Sequence, residues 1–211
     1  MNLITTLAES LLNLKQLKNL KLNSIDEMGQ PQDLKATFLS NLDNLSNLYL
    51  FRKFETSSIN GLPGSLTDLT LSASRLSEDP MPELGNLPKL KSLSLYSGSY
   101  TGKKMSCSTG CFPELQVLNF WMLQELEEWK VEENSMPKLK QLEIRSCQSL
   151  KVPTGLRNLK ALGELKLKDM PVEVIEEFEK TNKQSDIAHF PFVIIEKTNK
   201  QKSILSKVFD Q

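Results

Sequence analysis

The sequence is poor in the side chains on which catalysis and metal binding depend. Its 211 residues include a single histidine, His189, and three cysteines. Cys107 and Cys111 have a spacing typical of metal sites, but zinc needs four ligands and His189 is far away along the chain, so free thiols fit better. No nucleophile has a base beside it in the sequence. We therefore predict a protein that is not an enzyme and that holds no metal and no cofactor.

Net charge, long apolar runs and a secretory leader are also missing. Lys and Arg together number 26, as do Asp and Glu, so nothing attracts the chain in bulk to nucleic acid or to an anionic membrane. No stretch approaches the 18 apolar residues of a membrane-spanning helix, and residues 1–16 lack the charged and then apolar segments of a leader. With so few cysteines, these absences predict a cytoplasmic chain whose partners are proteins.

Leucine, in contrast, is abundant and regularly placed. The stretches Phe112 to Phe120 and Met136 to Ile144 both read apolar-Pro-x-Leu-x-x-Leu-x-apolar, and the pattern Leu-x-x-Leu-x-apolar occurs seven times. The central leucines of the seven copies are Leu20, Leu48, Leu69, Leu93, Leu118, Leu142 and Leu165. Their average separation is about 24 residues, which is typical of leucine-rich repeats.

Each copy of the pattern predicts a short strand of a parallel solenoid. Leu-x-Leu has a period of two, which places both leucines on one face of a strand, and it would place them on different faces of a helix. Roughly 19 residues remain in each repeat for the return, enough for the crossover that parallel pairing requires. We predict an α/β solenoid, a leucine-rich-repeat horseshoe with a concave sheet of about seven strands and an irregular or helical convex side.

The domain organisation follows from the extent of the repeats. Residues 1–170 hold the seven copies, and leucines within residues 3–14 resemble the return of an earlier repeat, so we expect a longer protein of which this is the C-terminal part. Residues 171–195 are predicted to contain a capping helix that begins at Pro171 and a final edge strand. Residues 196–211 are predicted to be a frayed tail, and the segment Glu196–Gln201 duplicates Glu179–Gln184 without an evident role.

Three return segments have distinct compositions. Ser97 to Cys111 is polar and contains three glycines, which predicts a mobile loop outside the leucine column. Ser74 to Pro88 contains Pro80 and Pro82, which predicts an extended segment. In Gln124 to Glu133, the apolar residues are predicted to face the column and the carboxylates to face water.

The outward strand positions form the candidate binding surface. Exposed aromatic and arginine side chains at such positions become binding hot spots when a partner excludes water from them. The candidate partner-binding residues are Tyr49, Phe51, Tyr96, Trp121, Glu143, Arg145, Lys166 and Lys168. An alternative is that Phe51 and Trp121 pack into the return segments.

A family resemblance supports a function. The segments Leu87–Tyr100, Phe112–Leu118, Leu126–Glu133 and Met136–Cys147 resemble the C-terminal repeats of plant coiled-coil NB-LRR disease-resistance proteins, in the late-blight-resistance-like group. The resemblance implies a non-enzymatic recognition module that binds a pathogen effector or a guarded host protein, or that restrains the receptor's own nucleotide-binding domain. This sequence contains no nucleotide-binding motif, so nucleotide exchange is not implied for it. The alternatives are the substrate-recognition repeats of a ubiquitin ligase and a secreted inhibitor of a microbial enzyme.

Overall fold

The computed structural model describes residues 14, 16–23, 37–51, 56–183 and 192–197. In this part of the chain, eight parallel strands form one sheet, each strand pairing with the strand of the next repeat. They are β1 (Asn19–Asn23), β2 (Asn47–Phe51), β3 (Asp68–Ser72), β4 (Ser92–Leu95), β6 (Val117–Trp121), β8 (Gln141–Arg145), β9 (Glu164–Lys168) and β10 (Phe192–Glu196). The predicted class, a repeat solenoid with a parallel sheet, is confirmed, with an eighth strand added to the seven of the leucine pattern.

The inward residues of the strands form two continuous apolar files. Strands pair without a shift, so that Leu118 lies opposite Leu142 and Phe120 opposite Ile144. The files contain Leu48, Leu69, Leu93, Leu118, Leu142 and Leu165, and beside them Leu50, Leu71, Leu95, Phe120, Ile144 and Leu167, all at most 4% exposed. Burial of each such side chain contributes about 1.5 to 3 kcal/mol, and stacking of repeats is what makes that burial complete.

In four of the repeats for which the structure describes it, the residue that follows the strand has a left-handed backbone. These residues are Ala73 (φ 53°), Met122 (φ 56°), Ser146 (φ 53°) and Asp169 (φ 51°). Each donates its amide hydrogen to the next repeat, as Met122 does to the Arg145 carbonyl (2.8 Å) and Ser146 to the Lys168 carbonyl (2.9 Å). The bond offsets a conformation that costs roughly 1–2 kcal/mol outside glycine. The chain therefore leaves these strands in the same way, which keeps the side chains at their ends in register.

The expectation that Ser97 to Cys111 is a polar loop outside the column is wrong. Within it, β5 (Lys104–Cys107) pairs in parallel with β7 (Glu128–Val131) and forms a second, two-stranded sheet on the return side. Met105 and Cys107 are buried in the core. The leucine pattern does not predict β5, because its inward residues, at a period of two, are methionine and cysteine, whereas the repeat has leucine at such positions.

The acidic return segment behaves as predicted. Leu126, Trp129 and Val131 are buried, and the charged residues between them face outward. Glu127 forms an ion pair with Lys103 (2.7 Å), one repeat earlier. A hydrogen bond from Lys103 lowers the pKa of Glu127 and raises that of Lys103. The return segments of adjacent repeats are thus joined by an ion pair between outward residues, while their apolar residues are buried in the column.

The segment from Ser74 to Pro88 is not fully extended, which corrects the second prediction about the returns. It contains the short helix α1 (Met81–Leu84), with Pro82 in its first turn. Proline is tolerated there because the amide hydrogen it lacks would have no partner inside the helix. The Asp79 carboxylate accepts hydrogen bonds from the amides of Met81 (3.0 Å) and Ser106 (2.8 Å), which ties α1 to β5. Burial raises the pKa of Asp79.

In the described parts of three other returns, the chain forms 3-10 helices, at Thr37–Asn41, Thr56–Gly61 and Leu156–Asn158. After β9, helix α2 (Val172–Lys183) buries Ile175 and Phe178 against the column. Glu196, where the frayed tail was expected to begin, is the last residue of β10 and lies opposite Lys168. The sequence interpretations of residues 1–13, 24–36, 184–191 and 198–211 lie outside the described residues. In the part of the chain that the structure describes, no helix is both long and apolar enough to cross a membrane.

Candidate protein-binding face

The outward residues of the parallel sheet form three files across the concave face. The file at the C-terminal ends of the strands carries the candidate site. From β2 to β10 it contains Phe51, Ser72, Tyr96, Trp121, Arg145, Lys168 and Glu196. The middle file contains Lys21, Tyr49, Thr70, Ser94, Asn119, Glu143, Lys166 and Ile194. Because neighbouring strands lie about 4.8 Å apart, residues of consecutive repeats in one file can contact each other.

Tyr96, Trp121 and Arg145 form a stack, which we call the Trp121 cluster. The rings of Tyr96 and Trp121 meet edge to face, with centroids 5.2 Å apart and planes at 77°. The Arg145 guanidinium carbon lies 4.5 Å from the centroid of the Trp121 ring, within the range of a cation–π interaction. Trp121 is nevertheless 36% exposed. It lies on the concave face between two ordered neighbours, and not in the return segment.

Charged neighbours hold the far end of this file. The Arg145 Nε lies 3.8 Å from a carboxylate oxygen of Asp169, the residue directly after β9. The Lys168 ammonium forms an ion pair with Glu196 at 2.7 Å. Its hydrogen bond lowers the pKa of the Glu196 carboxyl, which favours the ionised carboxylate of this pair. The file therefore passes from two aromatic rings to two cations, each of which lies beside a carboxylate.

The structure separates the remaining candidates into two groups. Glu143 and Lys166 lie opposite each other in the middle file, next to the Trp121 cluster, and both are half-buried. Tyr49 and Phe51 lie on β2, separated from Tyr96 by β3. The Lys21 ammonium lies 4.9 Å from the centroid of the Tyr49 ring. The candidate residues thus form one contiguous group on β4 to β9 and a smaller one on β2.

Two residues that the sequence did not single out help to order this face. Asn119 donates a hydrogen bond to the Ser94 hydroxyl (3.0 Å) directly beside the aromatic pair. Asp169 restrains Arg145 although it lies outside the regular strand positions. The only sequence signal for Asp169 is its position. It is an acidic residue directly after β9, and β9 is the strand next to β8, which carries Arg145.

A second concavity lies on the return side of the solenoid. Its volume is about 490 Å³, and it runs along β5 and β7. Met105, Trp129 and Val152 provide apolar lining, with charged residues that include Lys104 and Lys151 around them. In the described ranges, no group of three or more His, Cys, Asp or Glu side chains is placed to hold a metal ion.

Comparison with known proteins identifies the repeat type. A family profile described as "Leucine-rich repeat region" matches residues 1–187. The chain belongs to the leucine-rich-repeat family. The leucine files, the parallel sheet and the period of about 24 residues are what membership of this family requires.

The chain is similar to disease-resistance proteins of Arabidopsis thaliana. The "Probable disease resistance protein RF45" is 42% identical over 149 residues, which cover 70% of this chain and 14% of the relative. The "Probable disease resistance RPP8-like protein 4" is 36% identical over 170 residues, 80% of this chain and 19% of the relative. This chain therefore spans less than a fifth of the length of either relative. The resemblance of its repeats to those of plant disease-resistance proteins is confirmed.

Proposed function

We propose that this leucine-rich-repeat chain is the protein-recognition module of an intracellular plant immune receptor. Its partner would be a pathogen effector, a guarded host protein or the receptor's own nucleotide-binding domain, bound without catalysis or cofactor. Support comes from the repeat family and from relatives named as disease-resistance proteins. Those names favour a receptor over a ubiquitin ligase.

The observation that carries this proposal is the Trp121 cluster. A large aromatic ring that is 36% exposed yet packed on both sides is ordered before any partner arrives. Little side-chain entropy is then lost on binding, since the neighbours have already fixed the ring. Tryptophan, tyrosine and arginine are also the residue types that contribute most to protein interfaces.

The surroundings of the cluster have the composition of an interface. The outward residues of β4 and β6, together with the residue directly after β4, are uncharged, namely Ser92, Ser94, Tyr96, Val117, Asn119 and Trp121. Charged residues begin on β8 and β9, with Glu143, Arg145, Lys166 and Lys168. An uncharged centre that contains aromatic residues, with a charged rim around it, is a usual arrangement of a binding surface, and the charges control partner choice more than affinity.

A photo-crosslinking experiment tests the choice of face. A photoreactive phenylalanine analogue is placed at Gln141, an exposed outward residue of β8, and in a separate protein at Lys130, an exposed residue of β7 on the return side. Proteins crosslinked in leaf extract are identified by mass spectrometry and then purified. We expect partners to be captured from Gln141, and capture from Lys130 alone would place the interface on the return side.

Binding of the purified partner then tests the Trp121 cluster itself. We expect Trp121→Ala to weaken binding by roughly 30-fold or more, because truncating a hot-spot side chain costs about 2 kcal/mol. Val172→Ala is the matched control, since Val172 is an exposed apolar residue on α2, away from the sheet. Equal affinities for the two variants, with both folded by circular dichroism, would rule out the cluster as the binding site.

A further inference from the structure

The Arg145 guanidinium is held in one orientation and still has hydrogen-bond donors to offer. It stacks on the Trp121 ring, and its Nε lies 3.8 Å from an Asp169 carboxylate oxygen, too far for a hydrogen bond. In the described part of the chain, this Nε has no hydrogen-bond partner. A guanidinium also carries N–H donors on both Nη atoms, and the side chain is 31% exposed. Arg145 is therefore ordered before binding and able to donate to a group that a partner brings.

Met122 adds an exposed apolar side chain beside this arginine. It follows β6 directly and is 40% exposed, next in the chain to Trp121. Its amide donates to the Arg145 carbonyl (2.8 Å), which fixes its backbone to the strand that carries the guanidinium. At the equivalent position, three other repeats have small or acidic residues, namely Ala73, Ser146 and Asp169. Solvent exposure thus does not require methionine here, and methionine is a residue type enriched in protein interfaces.

The charges around Arg145 favour a single carboxylate as its ligand. The outward residues of β6 are Val117, Asn119 and Trp121, so a carboxylate that approaches Arg145 over β6 meets no acidic side chain of that strand. The next cation of the same file, Lys168, already forms an ion pair with Glu196 at 2.7 Å. One guanidinium matches the charge and the planar fork of one carboxylate, whereas a doubly charged phosphate would need further cations.

We propose that the C-terminal end of β6, together with Arg145, recognises a partner segment in which an Asp or Glu side chain stands beside a large apolar side chain. The carboxylate accepts hydrogen bonds from the Arg145 guanidinium, and the apolar side chain packs on Trp121 and Met122. Bound partner excludes water from this edge, which strengthens the charged hydrogen bonds. This inference rests on the proposed recognition function and specifies the chemistry that the partner must present.

Selection from a library of random peptides displayed on phage tests this chemistry. The full unaltered chain and its Arg145→Gln variant are used as separate targets. We expect the unaltered chain to enrich peptides that carry Asp or Glu beside a large apolar residue, and the variant to lose the preference for the acid. Enrichment of the same peptides on both targets, or of none on the unaltered chain, would overturn the proposal.

A comparison of two versions of one enriched peptide tests the carboxylate contact directly. The second version has the amide in place of the carboxylate. We expect Arg145→Gln to weaken the acidic peptide by about tenfold or more, because a hydrogen bond to a charged group is lost. It should weaken the amide peptide by less than about twofold. Isothermal calorimetry measures both affinities, and equal losses for the two peptides would show that Arg145 does not bind the carboxylate.

The matched control makes the same substitution elsewhere. Arg157 is an exposed arginine of the 3-10 helix Leu156–Asn158, on a return segment. We expect Arg157→Gln to leave both peptide affinities unchanged, since it alters the net charge of the chain equally but lies outside the concave sheet. Circular dichroism checks that both arginine variants are folded. If Arg157→Gln weakens the acidic peptide as much as Arg145→Gln does, the effect reflects net charge and the proposed site is wrong.

Met122→Ser tests the apolar half of the site. Serine occurs at the equivalent position as Ser146, with the same left-handed backbone, so the fold should tolerate it. We expect a loss of about threefold or more in peptide affinity, from the apolar surface that is no longer covered. Unchanged affinity would overturn this half of the proposal. Peptide or partner binding that depends on Trp121 but not on Arg145 would overturn the inference and leave the proposed function standing, whereas crosslinking from Lys130 alone would remove the proposed function itself.

Discussion

At the scale of single residues, the position of a tryptophan within the repeat determines whether its side chain is buried or exposed. Trp129 is an inward residue of β7, is 1% exposed and meets Phe120 edge to face with centroids 4.9 Å apart. Trp121 ends β6 at an outward position and is 36% exposed in a similar edge-to-face contact with Tyr96. The same side chain therefore packs inside the column in one case and lies on the proposed binding surface in the other, because successive strand residues point to opposite faces.

This alternation gives a direct test of the leucine column. Leu118→Asp places a carboxylate at a fully buried position between Leu93 and Leu142, without a partner to offset its loss of hydration. We expect a loss of several kcal/mol, comparable to the whole stability of a domain, and hence loss of the folded state. Thermal melting followed by circular dichroism measures it.

The matched control for that substitution is the preceding residue. Val117→Asp introduces the same carboxylate on the outward face of β6, at a half-buried position. We expect this variant to fold, with a melting temperature only a few degrees lower. If Leu118→Asp and Val117→Asp melt alike, the assignment of faces on β6 is incorrect.

At the scale of elements, the concave strands could be predicted, whereas the two strands of the return side could not. Every strand with Leu-x-Leu or its apolar equivalent was found, because its pattern has period two and recurs in each repeat. β5 and β7 have only four residues each, and their inward side chains, Met105 with Cys107 and Trp129 with Val131, follow no repeat consensus. The same limit applies to the residues around the Trp121 cluster. Tyr96 and Trp121 occupy equivalent positions of consecutive repeats, so the pattern predicted that they are neighbours, whereas no repeat position predicted the contact with Asp169.

The glycine at the next return shows why these segments depend on backbone contacts. Gly155 has φ 81°, and a methyl group there would lie 1.9 Å from the Val131 carbonyl oxygen. That oxygen accepts a hydrogen bond from the Asn158 side chain (2.9 Å), and Val131 donates its amide hydrogen to the Thr154 carbonyl (2.9 Å). The close approach thus joins β7 to the following repeat at a point where no side chain fits.

Replacing this glycine tests the contact. Gly155→Ala should lower the free energy of unfolding by about 2 to 4 kcal/mol, since it combines a left-handed alanine with a steric clash against backbone. Gly110→Ala is its control: Gly110 has φ 80°, but a methyl group there meets nothing within 4 Å. We expect only about 1 kcal/mol from the control. Urea unfolding curves measure both, and equal midpoints would mean that the return can move away from Gly155 at little cost.

At the scale of the whole molecule, stability arises from contacts between neighbouring repeats. β6 lies between β4 and β8, and its inward residues Leu118 and Phe120 are fully buried. β10 pairs with β9 on one side in the described part of the chain, and its inward residue Ile195 is 39% exposed. At the other end of the sheet, Leu20 of β1 is only half-buried. Opening a strand at either end therefore exposes less new apolar surface than opening one in the middle.

This difference predicts a gradient of backbone protection along the solenoid. In a stack of repeats, local opening begins at the ends and its free energy rises toward the centre, as nearest-neighbour contacts accumulate. We expect amides of β6 and β8 to exchange with deuterium at least about 100-fold more slowly than those of β10, equivalent to about 2.7 kcal/mol of opening free energy. Hydrogen exchange with mass spectrometry resolves these strands as separate peptides. Strands that all exchanged at one rate would show that the solenoid opens only as a whole, and that the exposed inward face of β10 does not weaken it locally.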